Sequence, residues 1–346
     1  MEIAKNLPRP QFGLIFTPAP LPDLVRWAKL AEDGGFERIG LADSPSLYRD
    51  VYITSAAVLA ATRRIHVGPR VTNPVLRHPV ATACTLASLA DLSEGRVFMG
   101  IGTGHSAVLN AGLKPARLGT LRSFVVAVRA LLNTGEADWE GSKVKMDWWM
   151  GQRPIPIHVA AAGAKSLELA GEVGDGVIIG NGMTPEVLAS DLGHIEHGAR
   201  KSGRSASNLY LQWLMPTCVA EDPNQAGLEA RAQMCSNANQ VFQHGLEGQF
   251  VPAELLEKVR TLTQRYRPTE HVKPGQSGHN ANLVDELGLR DYLIDRFGIV
   301  GSPEQCIMRI RELRGRGVNA FWMSVHTPEK ERVIRLLAER VLPEFL

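Results

Sequence analysis

Cysteine is scarce. The 346 residues hold four, Cys84, Cys218, Cys235 and Cys306, far apart and with no C-x-x-C pair. That spacing argues against a zinc ribbon, a redox dithiol or a disulfide scaffold and fits a reducing compartment. An excess of one charge is also missing. The net charge is +2 at pH 7, so no broad electrostatic footprint for nucleic acid or an acidic membrane is expected. Long apolar runs are absent too, and the opening MEIAKNLPRPQ carries no apolar core of a signal peptide. A cytoplasmic protein is the expectation. What is present is an ordinary globular balance, 44% hydrophobic and 21% charged. The length suits one large α/β domain or two small ones.

Along the chain, short apolar runs alternate with helical patterns. The runs are FGLIFT (12–17), RIGLAD (38–43), IHVGPRVT (65–72), RVFMGIG (96–102), IPIHVAAA (155–162), GVIIGNG (176–182), LYLQWLMPTCVA (209–220) and VNAFWMSV (318–325). Eight such units predict a parallel sheet covered by helices, in number a (β/α)8 TIM barrel. Two insertions interrupt it. One, at 136–153, predicts a small hairpin around Gly141. The other, about 225–295, is the longest and lies between strands seven and eight. Its middle, 265–288, is polar and rich in Gly and Pro, which predicts a lid or a disordered stretch carrying His271 and His279.

In such a barrel, ligands bind at the C-terminal strand ends. The ends of strands four to six are rich in Gly and Ala, which lets backbone approach a flat ring or a phosphate. AAAGAKS (160–166) runs into a helix, so Ala162, Gly163, Ala164 and Lys165 form a candidate anion cradle or a plain tight turn. Asp43 closes an apolar strand, either as a site acid or as a loop cap. His105 is a candidate proton donor or ring contact. Arg77 is a surface group or an anion partner. GIGTG (100–104) does not fit a dinucleotide fingerprint, because its third Gly is misplaced and it follows the fourth strand. HIEH (194–197) puts two histidines on a helix with no further ligand implied, so no metal site is expected.

Together the strand ends resemble the bacterial luciferase-like family of flavin- and deazaflavin-dependent oxidoreductases. The branch they look most like contains methylenetetrahydromethanopterin reductase. The likeness rests on ADS (42–44), GPRVTNPVLRHP (68–79), GRVFMGIGTGHSA (95–107), IPIHVAAAGAKSLELAGEVGDGVIIG (155–180) and FGIVGSPEQCIMRI (297–310). It implies a single TIM-barrel domain over 1–346 with one non-covalent cofactor, FMN or the deazaflavin coenzyme F-420. It also implies a cis peptide at Arg70–Val71, and Arg70, Val71, Thr72 and Asn73 behind the ring. Asp43 falls at an acidic ring or tail contact. Gly102, Thr103 and Gly104 fall on the pyrimidine side, and Ala162 to Lys165 at the phosphate. This chain has Ser44 where many relatives place His, and His105 where some deazaflavin dehydrogenases place a catalytic Glu.

The resemblance leaves two modes open. One is a monooxygenase served by a separate flavin reductase; the other is a reductase transferring hydride. In both the cofactor supplies the chemistry, and the protein orients it and excludes water. His105 and Asp43 are the candidate catalytic residues. A small organic substrate and a homodimer packed through helices two and three complete the expectation. The competing readings are a non-catalytic flavin-binding barrel and an unrelated metal-dependent barrel, the latter lacking its carboxylate–histidine cluster.

Overall fold

The structure, a computed structural model, describes residues 9–149, 151, 153–270 and 277–346. Eleven strands form among the described residues. They are β1 (Gln11–Phe16), β2 (Arg38–Leu41), β3 (His66–Pro69), β4 (Met99–Ile101), β5 (Glu136–Trp139), β6 (Ser142–Lys145), β7 (Ile157–Ala161), β8 (Gly176–Ile179), β9 (Tyr210–Val219), β10 (Ile299–Gly301) and β11 (Ala320–Ser324). The main sheet runs in the order β3-β2-β1-β11-β9-β8-β7-β4, with β10 on β9 outside that path. Its two ends also meet. Parallel bridges join Val67 to Val97 and Thr72 to Ile101. This closes eight strands into the (β/α)8 barrel expected from the eight apolar runs.

Sequence explains the closure. A Cβ built on Gly68 would lie 2.0 Å from the Phe98 carbonyl oxygen, and one on Gly100 would lie 2.6 Å from that of Pro69. Only glycine lets β3 and β4 come this close. The helices that flank the barrel strands are α1 (Leu21–Asp33), α2 (Val51–Ala61), α3 (Pro79–Leu92), the short α4 (Ser106–Leu109), α5 (Leu118–Thr134), α6 (Ala164–Val173) and α7 (Pro185–Lys201). Their starts follow the chemistry of the sequence. Asp50 caps α2 by accepting from the amides of Tyr52 and Ile53, and the His78 ring accepts from the Val80 amide ahead of Pro79. The hairpin β5–β6 turns at Glu140 and Gly141, both at positive φ, as a two-residue turn requires.

Contacts divide the chain into two compact units. One holds Gly13–Ile178 with Leu192–Leu211; the other holds the remaining described residues. The first unit contains every candidate site residue. In the second, the long insertion is largely helical, with α8 (Pro223–Phe242), α9 (Leu256–Arg265), α10 (His279–Glu286) and α11 (Arg290–Phe297); α12 (Pro303–Gly315) follows β10, and α13 (Lys330–Leu336) follows β11. The Gly/Pro composition of 265–288 hid a 3-10 turn at Pro268–Glu270 and α10 itself. The His279 ring is tied to the Arg265 carbonyl at 2.8 Å rather than offered to a ligand. His271 lies outside the described residues.

Among the described residues, no helix is long and apolar enough to cross a membrane. Nor is any group of three or more His, Cys, Asp or Glu placed to hold a metal ion.

Candidate active site

The site is built where β2, β3 and β4 end in the first unit. Strand β3 stops at Pro69, earlier than the apolar run suggests. The chain stays tied to its neighbours all the same. The Arg70 amide donates to the Leu41 carbonyl at 2.7 Å, the Thr72 amide to Gly100 at 2.9 Å, and the Gly102 amide to Thr72 at 3.0 Å. The Arg70–Val71 peptide is cis. Asn73 is buried, and its Oδ1 accepts from the amides of Val75 and Leu76, both at 3.0 Å. That carbonyl oxygen belongs to the turn.

Asp43 sits two residues past β2 and is 6% exposed. Its Oδ2 accepts from Thr72 Oγ1 at 2.7 Å and from Arg77 Nη1 at 3.0 Å. Its Oδ1 is shielded from water and meets no donor. Burial pushes this carboxyl above its usual range and Asp50 adds to the rise, while Thr72 and Arg77 pull it back. Asp43 therefore binds into the strand ends and does not cap the loop that follows it.

Arg77, which the sequence offers as a surface group or an anion partner, pairs here with two carboxylates. Its second arm reaches Asp50 Oδ2 at 2.6 Å, and its guanidinium lies 4.7 Å from the centre of the Tyr52 ring. One arginine thus joins a buried acid to the cap of α2. The apolar start of α2 and the basic residue of LRHP both lie in the sequence, but only the fold brings them together.

The glycine turn lies alongside. Gly104 has φ +90, and a Cβ there would sit 2.5 Å from Val108 Cγ2. At Gly102 a Cβ would be 3.4 Å from both Val71 Cγ2 and Ala160 Cβ. The missing side chain therefore opens a surface floored by the ends of β3, β4 and β7. The Thr103 carbonyl accepts from Ala116 at 2.9 Å, which holds the turn. His105 follows, exposed, at the start of α4, and makes no side-chain cap. Its neighbour Ser106 meets buried Ser44 hydroxyl to hydroxyl at 3.4 Å.

Beyond β7, residues Ala162 to Lys165 are exposed and begin α6. Gly163 caps that helix without a side-chain bond, and a Cβ on it would meet nothing within 4 Å. Ser166 Oγ donates to the Gly163 carbonyl and accepts from the Ala162 amide, fixing the turn. The result is an open helix N-terminus with Lys165 on it, suited to an anion.

Arg70 faces the other way. Its side chain is buried, and burial pushes it down to about 9. It shares the interior of this unit with His158, 3% exposed, which stacks on Phe98 at 5.5 Å and tilts against Tyr210 at 5.4 Å. Arg38 closes the group, bonding the Tyr210 hydroxyl at 3.1 Å. Burial, then the charges of Arg70 and Arg38, push His158 down to about 3, so it is neutral. The backbone around Arg70 thus shapes the site while its side chain charges the core.

Comparison with known proteins bears on this arrangement. The family model described as luciferase-like monooxygenase matches residues 1–320. The 5,10-methylenetetrahydromethanopterin reductase of Methanolobus tindarius is 30% identical over 342 residues, covering 96% of this chain and 99% of the relative. The coenzyme F-420-dependent tetrahydromethanopterin reductase of Methanopyrus kandleri superposes with a TM-score of 0.80 at 24% identity, covering 98% of this chain and 100% of that one. The oxygenating constituent of 3,6-diketocamphane monooxygenase from Pseudomonas putida, solved with FMN, gives 0.68 at 16% identity, covering 98% and 99%.

Proposed function

Since the chain belongs to the luciferase-like family and is a flavin- or deazaflavin-dependent oxidoreductase, we propose that it is a coenzyme F-420-dependent reductase. In this reading it transfers hydride to or from a small organic substrate. The observation that supports a cofactor of this kind at the strand ends is Asp43. A carboxylate oxygen buried at a strand end without a donor suits the N–H of a heterocycle or a hydroxyl of its tail. The exposed, uncapped start of α6 with Lys165 suits the phosphate. FMN and the deazaflavin both carry such groups, so the residues fit either. Preference for the deazaflavin rests on the likeness to a named reductase along nearly the whole chain.

In this reading the cofactor supplies a two-electron hydride carrier when bound. Thr72 and Arg77 orient Asp43. Val71, Thr72 and Asn73 would hold the ring, and Gly102, Thr103 and Gly104 would leave room for it. His105, exposed beyond that turn, holds the proton that accompanies transfer to or from the substrate. The enzyme acts in the cytoplasm as a homodimer that covers the faces of α2 and α3, where Ile53 is 65% and Leu92 54% exposed.

Side-by-side titration tests the choice. F-420 should bind with a micromolar Kd or tighter, roughly −8 kcal/mol, and be turned over with a hydride donor or acceptor. Binding of FMN alone, with oxygen consumed when reduced FMN is supplied, would replace the reductase by the two-component monooxygenase. Binding of neither would point to the loss of both activities.

A further inference from the structure

We propose that Arg77 is a positioning residue: it commits Oδ2 of Asp43 to the protein and so leaves Oδ1 to accept a hydrogen bond from the bound cofactor. The inference rests on the cofactor reading above and goes beyond it, because it gives one side chain control over whether the site acid can act as an acceptor.

The geometry is that of a shared cation. Arg77 holds Asp43 Oδ2 through Nη1 at 3.0 Å and Asp50 Oδ2 through Nη2 at 2.6 Å. Asp50 is fixed in its turn, since its Oδ1 takes the amides of Tyr52 at 2.8 Å and Ile53 at 3.0 Å. The guanidinium also lies over the Tyr52 ring, which limits its freedom. The arginine is therefore anchored to α2 at one end and presents its other arm to Asp43. Asp43 is almost fully enclosed, its side chain 1% exposed, while that of Arg77 is 21% exposed.

The groups facing the Asp43 carboxyl decide its charge. Thr72 and Arg77 come from the loop after β3, and Asp50 and Tyr52 from the start of α2. Of these, Arg77 carries the positive charge and Asp50 a competing negative one. Tyr52 is neutral, pushed up to about 12 by burial and then by Asp43. Burial already favours the protonated acid. Without Arg77, burial and Asp50 would act together, and Asp43 would take up its proton at a higher pH. A protonated carboxyl places a donor where the cofactor needs an acceptor. The bidentate fork of arginine serves both acids at once, which a lysine ammonium cannot do with the same geometry.

The experiment follows the Asp43 carboxyl by carbon-13 NMR in the ligand-free full chain labelled at aspartate, with Asp43→Asn identifying the signal. Cofactor affinity is then measured against pH for the same proteins. In Arg77→Met the midpoint of the Asp43 titration should rise by about one pH unit or more. The pH below which affinity is lost should rise with that midpoint, and affinity should recover as pH rises further. Arg77→Lys should restore part of the shift. Asp50→Asn keeps an N-cap oxygen but removes the competing charge, so it should move the midpoint the opposite way, downward, with α2 intact. Midpoints that stay put in both Arg77→Met and Asp50→Asn, or move in the same direction, would overturn the assignment, as would a pH-independent loss of affinity in Arg77→Met. If the midpoints move as stated but the wild type binds neither F-420 nor FMN, the cofactor reading fails and the control of Asp43 by Arg77 stands.

Discussion

Replacing His158 by phenylalanine should flatten the acid side of the stability profile. His158 is a neutral imidazole in a closed interior, pushed from an ordinary 6.5 to about 3. The sign follows from linkage. The unfolded chain takes up a proton near 6.5 that the folded chain refuses, so the stabilising contribution is complete above 6.5. It is lost as pH falls towards the folded value. Between about pH 7.5 and about pH 5.5 the refused proton costs about 1.4 kcal/mol, one pH unit of full linkage. Phenylalanine keeps the flat ring between Phe98 and Tyr210 and removes the unpartnered Nδ1 along with the titration. Equilibrium urea denaturation of both proteins at these two pH values measures the difference of differences. His66, which burial also holds below its usual range, is common to both and cancels. The wild type should lose about 1.4 kcal/mol more than His158→Phe on acidification. Equal losses would refute the reasoning, because they would mean that His158 takes a proton in the folded state or reaches water.

Two further outcomes test the strand ends. Gly100→Ala forces a Cβ to 2.6 Å from the Pro69 carbonyl and 3.2 Å from Ile178 Cδ1, and should destabilise by about 1–3 kcal/mol. The exposed Gly193→Ala inside α7 meets nothing within 4 Å and should stabilise by about 0.5–1 kcal/mol; thermal melting of the pair reads the contrast, and similar losses would refute it. Lys165→Ala should weaken a phosphate-bearing cofactor by about 0.5–1 kcal/mol and leave its dephosphorylated form nearly unchanged. Equal weakening of the two, measured by fluorescence titration, would remove the phosphate from α6.

The sequence made the barrel legible because a buried parallel strand must be apolar throughout. GVII of β8 is buried at all four positions. The hairpin at Gly141 was legible because a two-residue turn demands positive φ. The insertion was not. Polar α9 buries only Val259 and Leu262, α10 spans just eight residues, and Gly and Pro between them mask the helical period. At the site, position alone suggested Asp43, since an acid closing an apolar run needs a reason. Arg77 offered only an open choice between a surface group and an anion partner, and Asp50 carried no mark. They stand 34 and 7 residues from Asp43 along the chain, and their meeting depends on how α2 starts beside the loop after β3. His158 was hidden by its own run, IPIHVAAA, where one polar residue does not disturb a strand pattern.

The stretch from Arg70 to Thr72 serves two environments at once. Its amides and carbonyls pair with Leu41, Gly100 and Gly102, which positions the strand ends around Asp43. The Arg70 side chain turns into the interior and helps to keep His158 neutral. The two buried titrating groups then oppose each other. Asp43, with its raised value, contributes stability that is complete below its ordinary 3.8 and is lost as pH rises through the folded value. His158 contributes stability that is lost as pH falls below 6.5. At neutral pH His158 is therefore settled, while the ionised site acid bears a burial cost that Thr72 and Arg77 offset only in part. A donor delivered to Asp43 Oδ1 would offset that cost only when the acid is ionised. This is the state that Arg77 favours, and it links tight binding to the pH at which the rest of the unit is intact.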